Sequence, residues 1–394
     1  MQLSRNTYAA WLSLVLAGAG SCPTQPSRAD ETARASVVID SSAELSAYAD
    51  SDHVSVLSPS IALGARTPSA GWNIGTRYLV DIVSAASVDI VATASRRWSE
   101  VRHQWSGHAA FERDGTRLGA AASVSVEPDY VAATASLLGG FALAANHVSL
   151  ALRYDLGNDR AGRSGTPFRV FEHTLWKHGP ALGATFVLDD SSVLFTGIDA
   201  SFERGDQAKP YRYVATFDAH SVGILENGAS IETVDRLRGP EAPSERLPLA
   251  RSRAALTLRY MRHFGRAVLR AEERFYADTW GLLASSSDAR CTFLASNRLE
   301  LGASLRLHLQ RGVSFWRRAY VVDPETAVLP ALRTGDRELG PLWTSTLGLD
   351  VRYEIGPPAL KLRVAGIRTE YLDTLYIAER LGLFTSLAVE GSFD

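Results

Sequence analysis

The sequence predicts an all-β fold, a single up-and-down antiparallel transmembrane β-barrel of about 14 strands (12–16) with short periplasmic turns and long extracellular loops. Three observations support this prediction. Apolar and polar residues alternate along most of the chain. Turn-forming residues separate the alternating segments. No run of about 18 apolar residues follows the N-terminal segment, which excludes a helical membrane protein.

The alternation is clearest in residues 146–159, NHVSLALRYDLGND. Leu150 and Leu152 share one face of the predicted strand, whereas Arg153 and Asp155 share the other, because successive side chains of a strand point to opposite faces. Residues 72–83, 298–310 and 343–354 repeat the pattern. Each strand is therefore expected to have one dry face.

Residues 1–29 are expected to be a signal peptide. Arg5 supplies the positive charge, and residues 8–20, YAAWLSLVLAGAG, form the apolar stretch that an export signal requires. Small residues place the expected cleavage after Ser21 or Ala29.

The barrel is predicted over residues 53–394, after a flexible acidic segment at residues 30–52 that shows no sustained period. Short turns are expected at Asp114-Gly115, Asp189-Asp190-Ser191, Phe264-Gly265 and Gly356-Pro357-Pro358. The opposite strand ends are expected to carry longer polar loops, at residues 156–167, 205–249 and 321–341.

The dry faces could point inward, as in a soluble sandwich or barrel, or outward into lipid. Strands of about 10 residues, tilted by about 40°, span the ~25 Å apolar band of a membrane. Aromatic residues near the predicted strand ends match interfacial girdles: Trp72, Tyr130, Tyr154, Trp176, Trp343, Tyr353 and Tyr371. These features favour the membrane barrel.

The C-terminal stretch LFTSLAVEGSFD also alternates, with Leu383, Leu387 and Phe393 on one face. It resembles the aromatic-ended strand that closes outer-membrane proteins, although Asp394 follows the aromatic residue. We therefore expect the outer membrane of a Gram-negative bacterium as the location. The expected partners are the lipid bilayer and, through the strand ending at Phe393, the barrel-assembly machinery. The sequence leaves the oligomeric state open.

Charged residues on the faces opposite the apolar ones are expected to line the lumen. The candidates are Arg77, Asp81, Arg153, Asp155, Arg270, Glu272, Arg274, Asp278, Arg306, Asp350 and Arg352. An unpaired charge inside a narrow barrel costs several kcal/mol, so these groups must be paired or hydrated. They are predicted to form an ionic network, with Arg77 and Asp81 as partners in it. Such a network could also line a pore or hold a polar ligand.

Several short strings resemble the motifs of an uncharacterised bacterial family, domain of unknown function 3570, from about residue 70 to the C-terminus. The matching residues are Asp81, Ser84, Ala86 and Ser87; Glu127, Asp129 and Tyr130; Pro210, Tyr211 and Arg212; and Tyr276, Asp278, Trp280 and Gly281. Ala85 stands where the family has glycine, and Lys209 where it usually has asparagine. The resemblance implies an exported outer-membrane barrel and carries no activity.

The predicted function is a non-enzymatic outer-membrane barrel, either a pore for small polar solutes or a plugged scaffold that docks a periplasmic or surface partner. The net charge of −2 does not indicate the positively charged surface that is typical of nucleic-acid-binding proteins. The sequence holds no zinc, haem, phosphate-loop or hydrolase signature, so no cofactor is expected. A membrane-embedded hydrolase and a soluble secreted β-sandwich binding protein remain the alternatives.

Overall fold

The computed structural model describes residues 37–85, 98–163, 165–208, 212–322 and 328–393. Within these residues, sixteen antiparallel strands close into one barrel. Each strand pairs with its neighbours along the chain, and the first strand pairs with the last. The all-β, up-and-down barrel predicted from the sequence is confirmed, with a strand number at the upper end of the expected range.

The barrel strands are β1 (Val38–Asp50), β2 (Val54–Arg66), β3 (Trp72–Ala85), β4 (Trp98–Arg113), β5 (Thr116–Glu127), β6 (Tyr130–Leu143), β7 (Val148–Ala161), β8 (His173–Asp189), β9 (Ser192–Gly205), β11 (Ala250–Phe264), β12 (Ala267–Asp278), β13 (Leu283–Ser296), β14 (Leu299–Arg311), β16 (Leu342–Glu354), β17 (Pro358–Tyr371) and β18 (Glu379–Phe393). A separate parallel pair joins β10 (Thr216–Phe217) to β15 (Tyr320–Val321). Helices α1 (Ala219–Ile224) and α2 (Ile231–Leu237) and a 3-10 helix (Arg337–Leu339) lie in the loops.

Short connections lie at the end of the barrel that carries the start of β1 and the end of β18, here called the turn end. Gly115 and Gly265 adopt positive φ in two of these turns, the conformation that glycine adopts without steric cost. The long connections, residues 206–249 and 312–341, lie at the opposite end, here called the loop end. Outer-membrane barrels place short turns in the periplasm and long loops outside.

The outer wall of the barrel is apolar. On β7, Leu152 and Leu156 are both 48% exposed, while the side chains of Arg153 and Asp155 between them face the lumen. Large aromatic residues follow one another around the wall at the turn end: Trp72, Phe111, Phe141, Phe264, Phe293, Tyr353 and Phe393. In a closed barrel, all backbone N–H and C=O groups of the wall can pair between strands, as lipid requires. An apolar outer wall with an aromatic girdle is typical of outer-membrane barrels. The protein is thus a barrel of the Gram-negative outer membrane, with the bilayer against this wall.

No helix in the described ranges is long and apolar enough to cross a membrane.

The predicted boundary between a flexible segment and the barrel at residue 53 is wrong. Residues 38–50 form β1, which pairs with both β2 and β18. The outward face of β1 consists mainly of alanine and serine, with Ile39 and Leu45 as its large apolar residues. Hydrophobic alternation is therefore weak there. The expected signal peptide and residues 30–36 lie outside the described residues.

A further predicted boundary also differs. The loop expected at residues 156–167 begins later, because β7 continues to Ala161. The motif residue Trp280 lies in the turn that follows β12, which ends at Asp278.

Candidate functional site

The lumen wall carries ion pairs that cross between strands. Arg77 lies 3.3 Å from Glu44 of β1, and Asp81 is bound by Arg102 of β4. Arg77 and Asp81 are therefore not each other's partners, contrary to the sequence-based prediction. Four residues along a strand span about 13 Å, whereas facing residues on adjacent strands lie about 5 Å apart.

Most of the other lumen candidates also pair between strands, and two pairs lie along one strand, Arg153–Asp155 on β7 and Arg352–Glu354 on β16. The pairs are Arg153–Asp155 (3.0 Å), Arg259–Glu272 (2.6 Å), Arg270–Asp288 (3.3 Å), Arg274–Asp199 (3.0 Å), Arg251–Asp278 (2.5 Å), Arg290–Asp350 (3.3 Å) and Arg352–Glu354 (2.5 Å). Arg306 lies opposite Asp288 in the register of β13 and β14. The sequence did not single out partners such as Asp199 and Arg259, although alternation alone places them on the lumen face.

Exposure of these pairs differs sharply between the two ends of the barrel. At the turn end, the side chains of Arg66 and Asp40 are 48% and 42% exposed. At the loop end, those of Arg337 and Asp52 are 7% and 0% exposed. The first pair is thus accessible to solvent, whereas the second is buried where the long connections pack on the barrel.

The loop end carries a folded unit that we call the cap, consisting of the described parts of residues 206–249, 312–341 and 372–378. Its hydrophobic core contains Phe217, Leu225, Val234 and Leu375, of which Val234 is fully buried. The β10–β15 pair joins the first two segments, and Leu375 brings in the third. A buried core of this kind makes the cap a packed structure, unlike a set of independent loops.

The cap is bound to the barrel mouth by its 3-10 helix. Arg337 of this helix forms a 2.5 Å ion pair with Asp52, which follows β1; we call this pair the latch. The neighbouring Glu338 accepts from the Tyr371 hydroxyl at 3.2 Å and lies 3.3 Å from Arg380. Tyr371 and Arg380 are lumen-facing residues of β17 and β18, so the helix lies against the inner wall of the mouth.

Within the cap, Tyr320 joins distant parts of one loop. Its hydroxyl donates to carbonyl oxygens of Phe315 and Thr334, at 3.1 and 3.0 Å, and accepts from the Thr334 N–H at 2.8 Å. The Thr334 hydroxyl in turn donates to Glu245 of the first cap segment. Burial raises the pKa of Tyr320 to about 12.

The family-motif aspartate Asp278 organises the turn between β12 and β13. Its carboxylate accepts from the Tyr276 hydroxyl (2.9 Å) and from the N–H groups of Trp280 (2.9 Å) and Leu282 (3.0 Å). Arg251 pairs with the same carboxylate and stacks over Trp280 at 4.1 Å from the ring centroid. Each of these residues has a structural role at the barrel rim beside the cap.

The same turn occurs between β1 and β2, in a stretch that sequence reasoning assigned to a flexible segment. Asp50 accepts from the Tyr48 hydroxyl at 2.9 Å and from the N–H groups of Asp52 and Val54, both at 3.0 Å. The stretches YADSDHV (48–54) and YADTWGL (276–282) share Tyr-Ala-Asp followed by a hydroxyl residue. That shared string was the signal that could have identified the rim turn holding Asp52.

The remaining motif residues lie at strand ends or outside the described ranges. The Tyr130 hydroxyl donates to Asp159, and the carbonyl of Asp129 accepts from Gly162 at 2.7 Å. Glu127 ends β5 and Ser84 lies near the end of β3. The residues Ala86, Ser87, Pro210 and Tyr211 lie outside the described residues.

Two observations bear on catalysis. Ser286 and His308 are 2.7 Å apart on the lumen side of β13 and β14, whereas the hydrolase interpretation needs such a pair on the outer wall. His103 and His108 lie on opposite faces of β4, as their spacing predicts. In the described part of the chain, no group of three or more His, Cys, Asp or Glu residues is arranged to hold a metal ion.

Comparison with known proteins identifies one family. Residues 173–392 match the sequence profile of the family described as "Protein of unknown function (DUF3570)". No curated protein matches the sequence.

Among solved structures, a bacterial polysaccharide outer membrane secretin aligns with a TM-score of 0.49 at 6% identity, covering 91% of this chain and 98% of that one. The toluene transporter TodX of Pseudomonas putida gives 0.39 at 11%, covering 91% and 90%. The outer membrane protein opdK of Pseudomonas aeruginosa gives 0.43 at 7%, covering 91% and 99%. All three TM-scores are below 0.5, so the fold assignment rests on the strand pairing of this structure and does not rest on these alignments.

Proposed function

The chain belongs to the DUF3570 family of proteins of unknown function, and from that premise we propose that it is a non-enzymatic pore for small polar solutes whose mouth is closed by the cap. The observation that carries the proposal is the difference in exposure between the ion pairs of the two ends. A charged, hydrated wall at the turn end suits passage of polar solutes. The buried latch at the loop end suits a gate.

The latch is suited to hold the gate closed. Asp52 is buried and forms an ion pair with Arg337. Separating the two side chains is costly, because each charge loses its partner. Arg337 also stacks on Tyr371, 5.2 Å from the ring centroid. Opening therefore requires both contacts to separate, and removing one of the two charges should favour the open mouth.

The experiment is single-channel conductance of the full-length protein, refolded in detergent and inserted into planar bilayers. We expect wild-type protein to conduct rarely and Asp52→Ala to open more often, by about tenfold or more if the pair stabilises closure by at least 1.4 kcal/mol. The matched control is Asp40→Ala, which removes an exposed ion pair with Arg66 at the turn end, far from the cap. Heat-modifiable gel migration verifies that each variant is folded.

Two results would contradict the proposal. Steady conductance of the wild-type barrel at full size would mean that the cap does not close the mouth. A folded Asp52→Ala barrel that opens as rarely as wild type would show that the latch does not gate the pore.

The second result would favour a plugged scaffold that docks a periplasmic or surface partner. The hydrophobic core of the cap is the observation that supports this alternative, because a packed unit can present a fixed binding surface.

We further propose that the barrel-assembly machinery recognises the strand ending at Phe393. The Phe393 side chain is 49% exposed, and the residue pairs with Ile39 at the seam where β18 meets β1. An aromatic residue at this edge is available to a partner before the barrel closes.

A further inference from the structure

Four arginine side chains gather on the lumen wall between the turn end and the cap, on the strands from β12 to β17. We call them the arginine patch: Arg270, Arg290, Arg306 and Arg363. Their side chains are half-buried or exposed, so a solute in the lumen can reach them. Arg270 of β12 lies directly opposite Arg290, which is at the centre of β13. Like charges in directly opposite positions destabilise a sheet, so a bound anion would stabilise this arrangement.

Two carboxylates accompany the four guanidinium groups. Asp288 accepts a hydrogen bond from Arg270 at 3.3 Å. Asp350 lies 3.3 Å from Arg290 and 3.7 Å from Arg363. Four positive and two negative side chains leave two positive charges of the patch without a counter-charge within it.

Most hydrogen-bond donors of the patch are unused within the described part of the chain. A guanidinium group carries five N–H donors. The four groups together form a single hydrogen bond to described residues, from Arg270 to Asp288. Arg306 faces Asp288 in the register but forms no ion pair with a described residue. By contrast, Arg251 at the rim donates twice to Asp278. The patch therefore has donors for an acceptor that enters from the lumen.

Small residues leave room for such an acceptor between Arg290 and Arg363. Ser304 of β14 lies directly opposite Arg290, and Gly348 of β16 lies directly opposite Ser304. A Cβ atom on Gly348 would lie 2.6 Å from the Ser304 hydroxyl oxygen and 3.7 Å from Nη2 of Arg363, so glycine keeps this space open. The Ser304 hydroxyl adds a further donor at the same place. Porins with about 16–18 strands leave an aqueous channel through which a solute can reach such a site.

We propose that the arginine patch binds small oxyanions through their carboxylate or phosphate groups, and that the pore is therefore selective for anions. An anion with two negative charges matches the two charges that lack a counter-charge in the patch. Guanidinium groups donate paired N–H bonds that fit the oxygen pairs of carboxylate and phosphate. The selectivity rests on the proposed pore, whereas the binding site does not require that the barrel conducts.

The first test measures binding of inorganic phosphate to the full-length barrel folded in detergent. At constant ionic strength, wild-type protein is expected to broaden the phosphorus NMR line of phosphate by exchange. Arg306→Gln is expected to weaken this binding about tenfold, because it removes a charged donor from the site. Since Arg306 forms no ion pair with a described residue, the variant is expected to fold as wild type does, which heat-modifiable gel migration verifies.

The matched control is Arg117→Gln. Arg117 faces the lumen from β5, which lies halfway around the barrel from β14. It also forms no ion pair with a residue that the structure describes, so this substitution removes the same charge from the lumen outside the patch. Phosphate binding by Arg117→Gln is expected to equal that of wild type.

The second test measures the reversal potential of single channels in a potassium chloride gradient. It is made in the Asp52→Ala background, in which the mouth is expected to open. Anion selectivity is expected with an intact patch. Adding Arg306→Gln is expected to shift the reversal potential toward that of a cation-selective pore, and by more than adding Arg117→Gln does.

Three results would overturn the inference. They are a phosphate line that wild-type protein does not broaden, an equal loss of phosphate binding in Arg306→Gln and Arg117→Gln, and cation selectivity with the patch intact. Phosphate binding that depends on Arg306 in a barrel that never conducts would support the site and overturn the pore, so the two proposals can fail separately.

Discussion

Leu152 and Arg153 are neighbours in the chain but meet different surroundings. Leu152 points into the membrane, whereas Arg153 lies 3.0 Å from Asp155 in the lumen. The Ser136 hydroxyl also donates to Asp155, at 2.7 Å. The two positions therefore allow the lipid-facing and lumen-facing sides of one strand to be compared directly.

We expect Leu152→Arg to destabilise the inserted barrel by about 2–4 kcal/mol, because an arginine in the middle of the lipid face is poorly solvated. Arg153→Leu should cost less, since Asp155 keeps its serine donor and its side chain is partly exposed in the lumen. The folded fraction in bilayers, read from heat-modifiable migration across a urea series, measures both. Equal tolerance of the two substitutions would show that the facing of β7 is wrong.

Residue facing could be predicted from the sequence, whereas ion-pair partners could not. Alternation fixes which side of a strand Arg77 occupies, because the period of a strand is two. Its partner Glu44 depends on the register between β1, β2 and β3. That register is set by barrel closure and by turns that are distant in sequence, so the pairing is not readable from either strand alone.

At the scale of elements, the two rim turns are held by buried aspartates. Asp278 accepts three hydrogen bonds and pairs with Arg251, and its side chain has no solvent exposure. We expect Asp278→Ala to destabilise the barrel by roughly 3–5 kcal/mol, since it leaves the buried Arg251 without its carboxylate. Equilibrium unfolding in urea measures the loss.

The control for this substitution is Asp373→Ala. Asp373 occupies the corresponding place in YLDTLYI (371–377), but its side chain is 47% exposed and pairs with Arg318 at 3.2 Å. Surface pairs contribute about 0–1 kcal/mol. A similar loss for both variants would mean that the Asp278 contacts do not hold the rim.

The strands themselves were mostly predictable, and the failure at β1 has a specific cause. Strands with leucine on the outward face, such as β14, alternate strongly. The outward face of β1 instead consists largely of Ala43, Ala47 and Ala49. Alanine contrasts little with the polar residues between these positions, so the alternation that indicates a strand is hard to detect. The shared Tyr-Ala-Asp string would have indicated the end of β1, because a strand ends at this string in both places.

At the scale of the whole molecule, the cap was the part that the sequence could not predict. The sequence predicts residues 205–249 as a long polar loop. Their packing against residues 312–341 and Leu375 depends on contacts between residues that are distant in the chain, such as Thr216 and Tyr320. Short irregular segments also lack a period, so neither the core around Val234 nor the latch leaves a local pattern.

The cap should respond to high pH through Tyr320. The folded cap holds the phenol proton more tightly than the unfolded chain does, because burial raises the pKa from its ordinary value of about 10 to about 12. The stability that this provides is fully present below pH 10 and is lost as the pH rises toward 12. Arginine stays protonated in this window, so the latch charges do not change.

We therefore expect single-channel openings of the wild-type protein to become more frequent between about pH 10 and pH 12 and to reverse when the pH is lowered. Tyr320→Phe cannot ionise, so its openings should be more frequent at neutral pH, where the hydroxyl bonds to Phe315 and Thr334 are missing, and should not rise further in this window. Two results would contradict this prediction. One is a wild-type opening frequency that stays constant up to pH 12, and the other is a Tyr320→Phe opening frequency that rises as the wild type is expected to. The first result would mean that the cap is not the gate, because its loosening would leave the passage of ions unchanged.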